Sequence, residues 1–254
     1  MAETPASAPG SALAPAPALR LSGDFRHAGR PLFSGLDLPV EAGRWTCLLG
    51  PSGVGKSTIL RLFADLDTGG TFDGEISASD GARVAGRVAF MAQTDLLAPW
   101  LDVMGNVTLG SRLRGERVDR ARARDLIARV GLADHVEKAP ARLSGGMRQR
   151  VALARVLMED RPIVLLDEPF AALDARTRAE MQDLAFDTLK DRTVLLVTHD
   201  PAEAVRLGHR IFILAETGLS EVEAPALEPV RPVEARETMD MQVRLFRALR
   251  GEPA

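Results

Sequence analysis

GPSGVGKST, residues 50–58, sets how the rest of the chain is read. The apolar run WTCLLG (45–50) precedes it, and KSTILRLFADL (56–66) follows with Ile59, Phe63 and Leu66 on one predicted helical face. A strand, a glycine-rich turn and a helix start are the setting that the pattern G-x-x-x-x-G-K-[ST] requires. Glycines make tight turns, but they also let a backbone wrap around phosphates. The N–H groups of Gly53 to Ser57 can curl around a β-phosphate at the helix N-terminus, where the helix dipole also favours an anion. A Cβ at Gly53 or Gly55 is expected to obstruct that curl. Lys56 then reaches the β- and γ-phosphates, and the Ser57 hydroxyl is a ligand for Mg²⁺. Average residue frequencies give this pattern a chance occurrence on the order of one per cent in a chain this long. The stretch reads as a phosphate loop of Gly50, Pro51, Ser52, Gly53, Val54, Gly55, Lys56, Ser57 and Thr58.

The other short apolar runs end in polar groups of the kind such a loop needs. RVAFMAQ (87–93), PIVLLDE (162–168), TVLLVTH (193–199) and RIFILAE (210–216) lack alternation, as strands buried on both faces do. Ligands of open α/β sheets bind outside the carboxyl ends of the strands. Asp167 there suits a Mg²⁺ partner, directly or through water, and Glu168 suits a base or water-orienting group. Taken alone, the two acids also suit the start of a helix. Gln93 is placed to sense Mg²⁺ or the attacking water, and His199 to bond a γ-phosphate. Each is singly compatible with a capped turn. Four strand ends at Gly50, Gln93, Asp167 and His199 make a coherent set.

LSGGMRQR (143–150) supplies a second anion site. Ser144 is a good N-cap, and Gly145 and Gly146 expose the first N–H groups of the helix that follows. That helix carries Met147, Val151, Ala154 and Met158 on one face. Residues 20–40 hold short alternating runs broken by Gly and Pro, which predicts antiparallel strands. The fold class expected is α/β: a parallel sheet of the phosphate-loop type, an N-terminal antiparallel β subdomain and an inserted helical subdomain over about 94–160. Residues 1–18 read as a disordered Ala- and Pro-rich leader, 19–216 as the nucleotide-binding domain, and 217–254 as a tail with a short helix.

GPSGVGKST, Gln93, LSGGMRQR, IVLLDEP, AALD (171–174) and His199, in this order, resemble the ATP-binding subunit of an ABC transporter. The resemblance spans about residues 20–216. It implies ATP and Mg²⁺ as cofactors, ATP hydrolysis coupled to transport, Asp174 as an interface aspartate, and His199 as a switch residue. It further implies that Ser144, Gly145 and Gly146 of one subunit close over ATP held by the phosphate loop of a second. Implied partners are permease subunits, a second ATP-binding subunit (a homodimer) and, indirectly, a periplasmic or extracellular solute-binding protein. LLAPWLDVMGNV (96–107), DEPFAALDARTR (167–178) and THDPAEAVRLGHRI (198–211) are similar to the ATPases of nitrate, sulfonate, taurine and hydroxymethylpyrimidine importers. The chain departs from the family at DLDTGGTFDG (65–74) and in having no tyrosine to stack on adenine. Phe25 is the expected replacement, with His27 as its competitor. LLAPWL (96–101) is the expected docking segment for a permease helix, with a core position for Trp100 as the alternative.

Composition narrows the field further. A formal net charge of −3 gives no general basic field for nucleic acid. One cysteine, Cys47, excludes a disulfide framework. No run approaches the roughly 20 apolar residues of a spanning helix, and the N-terminus lacks the pattern of a secretory signal. The chain is expected on the cytoplasmic face of the inner membrane, held there by the permease. A DNA-repair or chromosome ATPase of this type would separate Lys56 from Asp167 by a long coiled coil, and no heptad run intervenes. A non-transport assembly or regulatory role is the remaining alternative.

Overall fold

Strands without alternation need cover on both faces, and this fold supplies it with three layers. The computed structural model describes residues 16–250. In chain order the elements are β1 (Leu19–His27), β2 (Arg30–Val40), β3 (Trp45–Leu49), α1 (Lys56–Phe63), β4 (Gly70–Ala78) and β5 (Val88–Met91). The helices α2 (Val103–Val107), α3 (Leu109–Leu113), α4 (Arg120–Arg129) and α5 (Gly145–Met158) follow. The chain then alternates through β6 (Ile163–Asp167), α6 (Ala175–Thr188), β7 (Thr193–Val197), α7 (Pro201–Leu207) and β8 (Arg210–Ala215). It finishes with β9 (Gly218–Val222) and α8 (Arg236–Leu249). The six-stranded sheet has the order β5-β6-β7-β3-β8-β9, parallel except for β9, and a three-stranded antiparallel sheet has the order β2-β1-β4.

Every residue of β3, β6 and β7 is buried. Their side chains divide by parity. Leu48, Leu165, Leu195 and Val197 join α1 and the antiparallel sheet in one core. Cys47, Leu49, Val164, Leu166, Val194 and Leu196 join the helices of the opposite side in another. Burying each such side chain fully stabilises the fold by about 1.5–3 kcal/mol. The run of apolar residues is therefore a consequence of two cores sharing one sheet.

The structure departs from the sequence reading at several points. Residues 70–78 form β4, which pairs with β1 along its whole length. Beyond residue 216 the expected helix is present as α8, which buries Thr238, Met241 and Leu245, and a strand not expected there, β9, pairs with β8. Leu66 lies past the end of α1 and is 47% exposed, so only Ile59 and Phe63 of the expected face are buried. The leader read at 1–18 lies outside the described residues up to residue 15. From Ala16 the chain is packed, and the Pro17 carbonyl accepts from the Thr193 hydroxyl at 2.7 Å. Among the described residues no helix is long and apolar enough to cross a membrane.

Phe25 is a correction. Pairing of β1 with β2 and β4 points its ring inward with Leu19 and Leu21, and it is 1% exposed. It stacks on Phe33 with ring centroids 5.6 Å apart and offers no face to a base. Phe25→Ala should lower the unfolding free energy by about 3–5 kcal/mol, read as a shift of the urea midpoint. A wild-type midpoint would contradict the packing.

Candidate functional site

Four adjacent strands of the parallel sheet deliver the site residues in a row. In the order β5-β6-β7-β3 their carboxyl ends lead to Gln93, to Asp167 and Glu168, to His199, and to the loop beginning at Gly50. Their closeness is a matter of topology, since these residues are up to 149 positions apart in sequence (50 against 199).

The loop between β3 and α1 is held in backbone conformations that few residues other than glycine adopt. Gly53 has φ +83° and Gly55, the N-cap of α1, has φ +109°. A Cβ on Gly55 would lie 3.1–3.2 Å from the Phe33 and Leu32 side chains, whereas one on Gly53 would meet nothing within 4 Å. At Gly53, then, the protein itself requires glycine for its positive φ and not for space. Lys56 is 6% exposed, and its ammonium donates to the carbonyls of Gly50 and Pro51, both at 2.8 Å. Burial lowers its pKa, while Glu168 and Asp167 pull it back up.

Asp167 ends β6 at 4% exposure, and burial raises its pKa. The neighbouring Ser57 hydroxyl favours its charged form, yet Asp167 Oδ1 has no hydrogen-bond partner. A buried carboxylate oxygen without a donor, beside a hydroxyl, is a fit for Mg²⁺, which takes one or two carboxylates and completes its shell with water and phosphate. No cluster of three or more His, Cys, Asp or Glu among the described residues offers a protein-only metal cage.

Glu168 has a left-handed backbone, φ +49°. Such a conformation costs of order 1–3 kcal/mol outside glycine and persists only where its surroundings hold it. Here the Glu168 N–H donates to the Val197 carbonyl at 2.9 Å, and the Glu168 carbonyl accepts from Gln149 Nε2 at 3.0 Å. The carboxylate lies between two other expected residues: His199 Nδ1 is 3.1 Å from Oε1, and Gln93 Nε2 donates to Oε2 at 3.3 Å. Glu168, Gln93 and His199 are thus one contiguous group.

Ser144 caps α5 by accepting from the Met147 N–H at 3.3 Å. A Cβ on Gly146 would stand 3.2 Å from the Ala172 carbonyl, so the second glycine also admits the chain just before Asp174. Asp174 caps α6 through Thr177 N–H at 3.0 Å, and that backbone bond lowers its pKa. Among the described residues no hydrogen bond or ion pair joins Ser144, Gly145, Gly146 or Asp174 to residues 50–58.

Sequence reasoning missed two residues that bind this frame together. Gln149 is 8% exposed and links the Glu168 carbonyl to Ala172 N–H, which it accepts at 2.8 Å. Its only signal was its place inside LSGGMRQR. Asn106, fully buried, accepts from Ala98 N–H and donates to the carbonyls of Ala98, Leu101 and Asp102. It shapes the segment after Gln93, which Arg148 and Arg155 tie to α5 through Asp95 and Leu96. From that braced segment Trp100 projects at 81% exposure and Leu96 at 65%, while Leu97 and Leu101 are half-buried. Trp100 is not a core residue. A cleft of ≈ 710 Å³ borders Leu32, Pro51, Ser52 and Glu216 on the flank of the loop and includes none of Gln93, Asp167, Glu168 or His199. His27, at the end of β1, is exposed.

Comparison with known proteins agrees with this geometry. Residues 33–171 match the family model described as ABC transporter. The chain is 44% identical over 231 residues to an uncharacterized ABC transporter ATP-binding protein of Haemophilus influenzae, covering 88% of this chain and 95% of that one. It is 46% identical to an aliphatic sulfonates import ATP-binding protein of Agrobacterium fabrum, covering 74% of this chain and 72% of the relative. Its fold is similar to a dimeric ATP-binding cassette solved in a post-hydrolysis state with ADP and Pi. That match has TM-score 0.71 and 29% identity, and it covers 84% of this chain and 99% of that one.

Proposed function

The chain belongs to the ABC transporter family, and we propose that it hydrolyses ATP between two copies of itself to power a separate membrane permease importing aliphatic sulfonates or similar small organic anions. The observation that carries the chemistry is the Glu168 carboxylate held by Gln93 and His199, one residue from the unpartnered Asp167 oxygen. In this reading Lys56 exchanges its bonds to the Gly50 and Pro51 carbonyls for phosphate oxygens. Gly50, Pro51, Ser52, Gly53, Val54, Gly55 and Thr58 complete the cradle with Ser57. Ser57 and Asp167, with Gln93 nearby, would hold Mg²⁺, which when bound would supply positive charge to stabilise the phosphates. Glu168 orients a water and takes its proton as the water oxygen attacks the γ-phosphorus and the bond to the β-phosphate oxygen breaks. His199 steadies the carboxylate and faces the γ-phosphate.

Ser144, Gly145 and Gly146 of the second copy supply N–H donors to the same γ-phosphate, with Asp174 at the shared boundary. The dimeric relative bound to ADP and Pi supports this arrangement. With Phe25 enclosed, the adenine contact falls to His27. Trp100 and Leu96 offer the permease an apolar anchor next to Gln93, and that contact holds the chain at the cytoplasmic face of the membrane. The solute class rests on relatives named for aliphatic sulfonate import. Selection among solutes belongs to the permease and its solute-binding protein.

Glu168→Gln should lower the hydrolysis rate of the permease complex by about 10²–10⁴, or roughly 3–5 kcal/mol of barrier, and leave ATP binding nearly normal. Hydrolysis at the wild-type rate would remove Glu168 from the mechanism. His27→Ala should raise the ATP dissociation constant about tenfold, the loss of one stacked base, and unchanged affinity by titration would refute the contact. Trp100→Ala should weaken permease assembly by about 2 kcal/mol and reduce ATP-driven uptake of an aliphatic sulfonate by the reconstituted complex, with nucleotide binding intact. Full assembly of that variant would refute the anchor, and a wild-type complex that takes up no sulfonate would refute the solute class.

A further inference from the structure

Behind His199 lies a group of charges that the proposed chemistry does not use. Glu203, in the first turn of α7, is 4% exposed. Its Oε2 accepts from the Thr198 hydroxyl at 2.8 Å, and that hydroxyl accepts from the Asp200 N–H at 3.0 Å. Thr198 and Asp200 flank His199, so the side chain of Glu203 holds both neighbours of the switch residue. From the opposite side, α6 presents Arg178. Its Nη2 donates at 3.0 Å to the carbonyl of Leu173, the residue before Asp174. The same guanidinium is 3.6 Å from Asp200 and 3.8 Å from Glu203, and its buried Nε has no hydrogen-bond partner.

We infer that Arg178, anchored on Glu203, is a positioning residue that couples the Leu173–Asp174 turn to the loop bearing His199. This rests on the reading of Asp174 as an interface residue and His199 as part of the catalytic group. A guanidinium is a planar fork of five donors, able to serve a carbonyl and two carboxylates at once. The bond to Leu173 is fully made, whereas the contacts with Asp200 and Glu203 are at ion-pair and not hydrogen-bond length. When a second copy presses on Asp174, displacement of Leu173 moves the guanidinium against the two acids. Through Thr198 and Asp200 that movement sets His199 on Glu168. An apolar side chain at 203 would fill the same space at less desolvation cost but would give Arg178 nothing to hold.

The pairing also depends on pH. Burial pushes the Glu203 carboxyl up to about 7, helped by Asp200 and opposed by the Thr198 hydroxyl, Arg178 and His199. On the β3 side it faces Cys47, whose thiol burial keeps neutral. An acid with pKa near 7 is about nine-tenths protonated at pH 6 and about nine-tenths ionised at pH 8. The strut is therefore engaged at pH 8 and released at pH 6.

The test is steady-state hydrolysis by the permease complex carrying Arg178→Ala, Glu203→Gln or both, with folding checked by thermal unfolding. Glu203→Gln keeps the volume and the acceptor for Thr198 and removes only the charge that Arg178 holds. At pH 8 each single variant should lose about tenfold in kcat, as expected for a slightly misplaced catalytic group, with the ATP dissociation constant unchanged. The double variant should fall no further. The ratio of wild-type to Glu203→Gln rates should shrink toward one at pH 6. Wild-type kcat in Glu203→Gln, additive losses in the double variant, or a ratio constant with pH each overturns the strut. Should Arg178→Ala fail to fold, Glu203→Gln and its pH ratio decide alone. An inactive His199→Ala beside fully active strut variants overturns the strut and leaves the catalytic reading standing. A fully active His199→Ala overturns that reading and the strut with it.

Discussion

Two carboxylates leave β6 side by side, and much of the site follows from the electrostatic cost of keeping them there. Asp167 is buried at the carboxyl end of β6 with one oxygen unpaired. A second charge pointing the same way would raise the penalty further, since like charges at close range in a poorly solvated site disfavour ionisation. Glu168, on a left-handed backbone, places its carboxylate against His199 and Gln93, and its charge adds to the rise in the Asp167 pKa. Lys56 faces both acids, whose charges offset part of the lowering that burial imposes on its pKa. In the proposed cycle the division is also a division of labour. Asp167 faces the metal and Glu168 faces the water.

Holding Glu168 in that conformation requires support from outside β6, and the support comes from the elements that report on partners. Gln149 joins the Glu168 backbone to the start of the Asp174 turn from a helix whose N-cap is Ser144. Arg148 and Arg155 of the same helix grip the segment that presents Leu96 and Trp100. One helix, α5, therefore touches the backbone of the proposed catalytic residue, the proposed interface between copies and the proposed permease anchor.

The parallel sheet was legible because its strands are apolar runs, and four of them lead into the residues proposed for the site. The phosphate loop, Gln93, the two acids and His199 all sit at that boundary. What stayed hidden depends on long-range pairing. Residues 70–78 do alternate, with Phe72, Ile76 and Ala78 against Asp73, Glu75 and Ser77, but Gly69, Gly70 and Gly74 made the stretch read as a turn, and pairing with β1 makes it a strand. Phe25 could not be assigned without knowing that Phe33 and β4 close over it. Gln149, Asn106, Arg178 and Glu203 act through partners that no local pattern names. Arg178 resembles any surface arginine of a helix until α7 is placed against it.

The central claim is that the strand ends of one copy and the α5 N-terminus of another enclose the same γ-phosphate. A crystal structure of the chain with Mg²⁺, ADP and a planar or trigonal mimic of the transferring phosphoryl group tests it most directly. The account predicts Lys56 and Ser57 on the phosphates, Glu168 beside the position of the attacking water, and Ser144 of a second copy bonded to the mimic. A nucleotide bound by a single copy, with Ser144 of every copy facing solvent and Glu168 directed away from the mimic, would contradict it.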